Sequence, residues 1–254
     1  MNKFEFTVPH HGRGTHGFAC FPDGAEGKKY PLVIMSHGYN GYETDFEGSA
    51  EYFAAHGIAA ASITFCGGST RDKSGFATTS MTIDTECEDV VAVADMLMAR
   101  DDVDNEHVYL FGASMGGLVS VLSAQRCPGR FCGLLLLFPA LCIPDNWNER
   151  FPNAEDIPET LEFWGMELGR DFFLSLRTLD VDGALSGFDG GILLMHGDRD
   201  PIVPISYGKH AKEVGRRVSL ETFIGEGHGF SMPATLRMEG MMKLYIDMDM
   251  DTIA

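Results

Sequence analysis

Two hydrophobic patterns alternate along the chain. Short, nearly continuous apolar runs stand at 30–35 (Tyr-Pro-Leu-Val-Ile-Met), 58–65, 108–111, 134–138 and 192–195. Runs of that length and density predict strands buried on both faces of a sheet. Phe4–Val8, Thr15–Phe21 and Val218–Ile224 add further strand signals. Between the runs, apolar residues recur at helical spacing. Thr82–Arg100 is the clearest case, with apolar positions 83, 87, 90, 91, 94, 97 and 98 forming one face. Helices are also expected at Phe46–His56, stopped by Gly57, at Met115–Arg126, stopped by Pro128-Gly129, at Ser206–Val214, and from about Pro233 to Asp247. Strands alternating with helices predict an α/β fold: a mainly parallel sheet of about eight strands with helices on both sides.

One segment breaks the rhythm. Leu141–Asp189 shows no clean strand and carries Trp147, Phe151, Phe163, Trp164, Phe172 and Phe173. It reads as a cap, 141–189, inserted into a core made of 1–140 and 190–254.

Candidate chemistry sits where the runs end. The apolar stretch His107–Phe111 leads directly into Gly112-Ala113-Ser114-Met115-Gly116. A G-x-S-x-G pentad between strand and helix lifts a serine Oγ clear of the sheet, and the flanking glycines keep the crowded turn free of clashes. A serine hydroxyl needs a base during attack, and the base needs a carboxylate to hold its tautomer. His228 follows the last strand in the Gly-flanked run Gly225-Glu226-Gly227-His228-Gly229 and suits the base. On the residues alone two acids compete, Asp198 and Asp200, in His196-Gly197-Asp198-Arg199-Asp200-Pro201. An oxyanion hole is expected from the backbone N–H groups of Met115 and of Tyr39, in the loop after the third strand. His37, beside Tyr39, reads as a prop for that loop. His10, His11 and His16 read as ordinary surface residues.

Charge and cysteine usage narrow the partners. There are 19 basic and 37 acidic residues, giving 19 − 37 = −18. Such a surface repels phosphate backbones and anionic membranes, so neither nucleic acid nor membrane is an expected partner. It suits uncharged substrates and release of an acidic product. The acids Asp84, Glu86 and Glu88 open a helix that Arg100 closes, and they read as dipole-matching, solvated positions. Six cysteines are scattered without C-x-x-C or zinc-ligand spacing, so reduced structural thiols, no metal and no cofactor are expected. No run approaches ~18 apolar residues, and the alternating start Met1–Phe6 lacks a signal-peptide core. A cytoplasmic protein is the expectation. A monomer and a homodimer both remain open.

With Gly112–Gly116, an acid and His228 in this order, the chain resembles the α/β-hydrolase superfamily over nearly its whole length. His196-Gly197-x-x-Asp200-x-x-Val203-Pro204 is similar to that superfamily's acid loop, and the resemblance assigns the third member of the triad to Asp200. Ser36-His37-Gly38-Tyr39, Met81-Thr82 before a helix with Glu86 and Asp89, Gly112–Leu118 and Phe163-Trp164-Gly165-Met166 resemble bacterial cinnamoyl (feruloyl) esterases. The resemblance implies cofactor-free hydrolysis of small to medium carboxylic esters, hydroxycinnamoyl esters foremost, through an acyl-enzyme. Phe163 and Trp164 are candidates to stack on a flat acyl group. Acylglycerols, thioesters and peptides are alternative substrates of the same fold. A ligand-binding protein of this fold is the alternative of another class; its mark would be a broken triad.

Overall fold

The computed structural model describes residues 1–24 and 27–253. β1 (Asn2–His10) and β2 (Arg13–Phe21) open it as an antiparallel hairpin. Its two turn residues, His11 and Gly12, have φ of 43° and 77°, the positive values that a tight hairpin turn demands. β3 (Tyr30–Ser36), α1 (Glu47–Ala55), β4 (Ala59–Thr64), α2 (Ile83–Met98), β5 (Val103–Ala113), α3 (Met115–Arg126) and β6 (Gly133–Leu137) follow. Next come α4 (Ile143–Arg150), β7 (Thr160–Phe163), β8 (Met166–Gly169), α5 (Arg170–Leu176) and α6 (Val181–Gly187). β9 (Gly191–Gly197), α7 (Ile205–Val214), β10 (Val218–Phe223) and α8 (Met232–Ile253) complete the chain.

The main sheet has eight strands in the order β1-β2-β4-β3-β5-β6-β9-β10. β2 runs antiparallel to both neighbours, and every other pairing is parallel. Period-two alternation splits the apolar runs between two cores. Leu32, Ile34, Leu110, Leu134, Leu136 and Leu194 face one side, where α2 and α3 cover them. Val33, Met35, Phe111, Leu135, Leu193 and Met195 face the other, against α1 and α8. Trp147, Phe172 and Phe173 join the first core, so the segment between β6 and β9 is packed down onto the sheet's helical layer.

The structure corrects four expectations. Residues 141–189 do contain strands: β7 and β8 form a separate two-stranded hairpin. Each is four residues long, too short to show a clear period. α2 ends at Met98, and Arg100 lies beyond it, paired with Asp102 instead of closing the helix. Glu86 is not on a solvated face; its side chain is completely buried, and burial together with nearby Asp89 pushes its carboxyl well above the usual range. His10 is no surface residue either. Its Nε2 lies 3.0 Å from Asp89, in a buried network that also holds Arg13.

Candidate active site

Parallel strands put their carboxyl ends on one edge of the sheet, where loops collect. Ser114 follows β5, Asp200 follows β9, His228 follows β10 and Tyr39 follows β3. The turn at Ser114 is forced by sterics. A Cβ on Gly112 would lie 2.1 Å from the Gly116 carbonyl oxygen, and one on Gly116 would lie 2.5 Å from the carbonyl oxygens of both Ser36 and His37. Only glycine fits either position. Between them Ser114 adopts φ 52° and ψ −119°, a strained backbone for a residue with a side chain. It is held there because its N–H donates to the Leu137 carbonyl at 3.0 Å, while its own carbonyl accepts from Gly117 and Ala140 at 2.9 and 2.8 Å.

The structure brings Ser114, His228 and Asp200 together. His228 Nε2 is 2.9 Å from Ser114 Oγ, and His228 Nδ1 is 2.7 Å from Asp200 Oδ2. An ionised carboxylate only accepts, so Nδ1 carries the proton and Nε2 is free to accept the one on Ser114. The other Asp200 oxygen, Oδ1, accepts from the N–H groups of Ile202 and Val203 at 2.8 and 2.9 Å. Asp200 is buried there. Asp198 turns elsewhere: its Oδ1 accepts from the Gly225 N–H at 2.5 Å, tying the β9 loop to the β10 loop. The Phe138 ring lies 4.6 Å from the imidazole of His228, and Phe230 packs on Phe138. These aromatics cover one side of that imidazole.

The loop after β3 is braced from below. His37 is fully buried, donates from Nδ1 to the Gly38 carbonyl at 2.6 Å, and accepts at Nε2 from the Phe65 N–H at 3.1 Å. Burial pushes its pKa down, which keeps it neutral and fixes those roles. Both ring nitrogens are thus spent on holding the loop. Asn40, with φ 54°, accepts from the Thr70 N–H and hydroxyl at 2.9 and 3.1 Å. A Cβ on Gly38 would stand 3.1 Å from Ser114 Cβ, so the loop runs hard against the serine. Met115 opens α3, so its N–H has no acceptor within the helix.

A cavity of about 390 Å³ opens beside Ser114. Tyr39, Met115, Phe163, Trp164, Trp147 and Phe172 contribute to its walls. Phe163 and Trp164 stack at 4.5 Å, and Trp164, at the β7–β8 turn with φ 45°, is 60 % exposed. The Tyr39 hydroxyl donates to the Phe163 carbonyl at 2.6 Å, linking the loop after β3 to that hairpin.

Sequence reasoning missed four contributors. His196 is fully buried and hydrogen-bonds the Val203 carbonyl at 2.9 Å, shaping the Asp200 loop; burial lowers its pKa. Glu226 accepts from the Ser231 N–H and hydroxyl at 2.8 and 2.6 Å, bracing the His228 loop. Asn146 and Arg150 line the cavity from α4; they stand with Trp147 at helical spacing, a signal that exists only once the helix's inner face is known.

Away from the site, His10, Cys66 and Asp89 bring potential ligand atoms within 4.8 Å of one another. Asp89 is already engaged there by the Arg13 guanidinium at 3.0 Å and the Cys66 N–H at 2.7 Å. Burial pushes the Cys66 thiol up to about 12. A guanidinium beside the carboxylate and a protonated thiol make this an ion-pair network, poorly suited to a cation.

Comparison with known proteins agrees with this fold. Est1E from Butyrivibrio proteoclasticus, solved with ferulic acid bound, superposes with a TM-score of 0.85 at 23 % identity, over 95 % of this chain and 98 % of that one. The esterase EaEST from Exiguobacterium antarcticum gives 0.72 at 18 % identity, over 95 % and 98 %. A putative dipeptidyl aminopeptidase IV from Bacteroides ovatus gives 0.75 at 17 % identity, over 97 % of this chain but 36 % of that one. These likenesses establish the α/β-hydrolase fold, and no described helix is long and apolar enough to cross a membrane. The family model for serine aminopeptidase, S33, matches residues 27–170, more than half of the sequence, and the chain belongs to that family of α/β-hydrolases.

Proposed function

We propose that this protein is a serine carboxylesterase that works through an acyl-enzyme. Ser114 Oγ attacks the ester carbonyl while His228 Nε2 takes its proton. Asp200 holds the imidazole in the right tautomer and stabilises the imidazolium. The N–H groups of Tyr39 and Met115 hold the oxyanion, each donor of this type contributing roughly 3–4 kcal/mol. His228 then returns the proton to the departing alcohol. Water, activated by the same base, releases the acid and restores Ser114. No step requires a metal or cofactor.

The observation that carries this reading is the pair of hydrogen bonds joining Ser114, His228 and Asp200 at 2.9 and 2.7 Å. The cavity favours an ester over the amino terminus of a peptide. Its charged lining residue is the cation Arg150, which repels a protonated amine. The aromatic walls, with Phe163 and Trp164 stacked at the mouth, favour a flat acyl group, and hydroxycinnamoyl esters are the proposed class. Residues 141–189 act as the cap that supplies those walls. The six free thiols suit a reducing, cytoplasmic setting.

The test compares kcat/KM for methyl ferulate with that for an aliphatic methyl ester of matched size. A clear preference for ferulate is expected. Equal turnover would remove the hydroxycinnamoyl assignment while leaving the esterase.

A further inference from the structure

We infer that the cavity takes an acyl group whose far end carries a second, ionised carboxylate, and that Arg150 recognises it. The inference rests on the esterase reading above and adds a substrate class to it.

α4 lays one face along the cavity: Ile143, Asn146, Trp147 and Arg150 all line it, at the i, i+3, i+4 and i+7 spacing of a single helical stripe. The helix begins beside the nucleophile. The N–H of Ala140 donates to the Ser114 carbonyl at 2.8 Å, and Ala140 and Cys142 line the same cavity. At 1.5 Å per residue, Arg150 lies about 10 Å farther along the helix than Ile143. The cavity therefore has a reacting end and a cationic end, with an aromatic wall between them.

Arg150 shares with Arg177, Arg199 and Arg217 the lack of a carboxylate partner among the described residues, and of these four it alone lines the cavity. Acidic residues outnumber basic ones 37 to 19, and Arg13, Arg100, Arg126, Arg130 and Arg216 each pair with a carboxylate. Among the described residues Arg150 has no such partner, and its neighbour Glu149 points off the helix in another direction. The guanidinium stacks instead, with its carbon 5.1 Å from the Trp147 ring centroid and 5.5 Å from that of Phe151. Ring faces take none of its fork of N–H donors, which can grip a carboxylate with two parallel hydrogen bonds. One fork matches a monoanionic carboxylate; a dianionic phosphate would call for several cations. The net charge of −18 repels anions, but salt screens the charges that lie more than about 8 Å from the site. A short-range fork at the cavity's end thus reverses, locally, the preference for uncharged substrates expected from composition.

The test uses two isosteric esters, methyl 4-carboxycinnamate and methyl 4-carbamoylcinnamate, with wild type, Arg150→Gln and Arg150→Lys. Hydrolysis of 4-nitrophenyl acetate, too small to span the cavity, reports whether each protein is a working hydrolase. Wild type is expected to favour the carboxylate about tenfold in kcat/KM, the scale of one charge-assisted contact. That ratio should fall to one or below in Arg150→Gln, hold in part in Arg150→Lys, and shrink as salt is raised. A wild type that treats the two esters alike, or a ratio that survives in Arg150→Gln, overturns the inference while acetate hydrolysis leaves the esterase standing. A wild type inactive on all three esters overturns both.

Discussion

Asp200→Asn removes one charge and changes one atom, and the surrounding hydrogen bonds dictate how the new amide must sit. Oδ1 of Asp200 accepts two backbone N–H groups, from Ile202 and Val203 at 2.8 and 2.9 Å. An asparagine can keep both bonds only by leaving its carbonyl oxygen there, which turns its NH2 toward His228 Nδ1. Two donors cannot face each other, so the imidazole moves its proton to Nε2. Nε2 then presents a hydrogen to Ser114 and has no lone pair for the serine proton. The base is lost without any change of shape. A loss of this kind is roughly 10³- to 10⁴-fold in kcat, about 4–5.5 kcal/mol in the barrier. The assay is steady-state hydrolysis of 4-nitrophenyl acetate, with thermal unfolding to show that the variant is folded. Asp198→Asn is the control: its contact with the Gly225 N–H needs only an acceptor oxygen, which asparagine retains, so turnover should fall less than about tenfold. Retention of more than a tenth of wild-type kcat in Asp200→Asn would refute the reasoning, as would an equal loss in Asp198→Asn.

Tyr39→Phe keeps the backbone N–H but deletes the hydroxyl that donates to the Phe163 carbonyl at 2.6 Å. KM for methyl ferulate should rise about 3- to 10-fold, with a smaller change in kcat; a kcat loss with unchanged KM would contradict the hairpin's role in binding. Phe173→Ala opens a hole where a ring only 2 % exposed packs on Trp147 and Phe172. It should cost about 3–5 kcal/mol and lower Tm by on the order of 10 °C; a shift within a degree or two would show that residues 141–189 are not part of the sheet's core. Glu86 has a folded-state pKa raised well above its ordinary 4.5 by burial and by Asp89, so the folded state holds a proton that the unfolded chain gives up. Its contribution is fully present below pH ~4.5 and is lost as pH rises toward the folded-state pKa. Glu86→Gln should therefore gain Tm over wild type as pH rises above about 4.5, and a gap that is constant or narrows with rising pH would refute the assignment.

The serine turn was legible because its rule is local. Gly112 is required by the turn's own Gly116 carbonyl, and although the Gly116 requirement comes from the Ser36 and His37 carbonyls at the end of β3, the five-residue glycine spacing records both. The sheet was legible for a similar reason: strands buried on both faces read as unbroken apolar runs. The choice between Asp198 and Asp200 was not decidable from residue types, since both are aspartates in one Gly/Pro loop. Family resemblance made the choice, and the structure shows its physical basis in the two N–H groups that aim Asp200. Glu86 was misread because an acid in a helix's first turn matches the dipole whichever way it points; its inward orientation depends on the packing of α2. β7 and β8 escaped notice because each spans only four residues, Thr-Leu-Glu-Phe and Met-Glu-Leu-Gly, and alternation that short does not stand out from a loop. Arg150 carried no signal at all until the cavity identified which face of α4 it lines.

The central claim is that Ser114 is a nucleophile primed by His228 and Asp200. A fluorophosphonate probe tests it most directly, with peptide mass spectrometry of the labelled protein. The expected result is one covalent adduct on Ser114, absent in Ser114→Ala and formed far more slowly in His228→Ala. A folded wild-type protein that takes no label, or carries it on another residue, would contradict it.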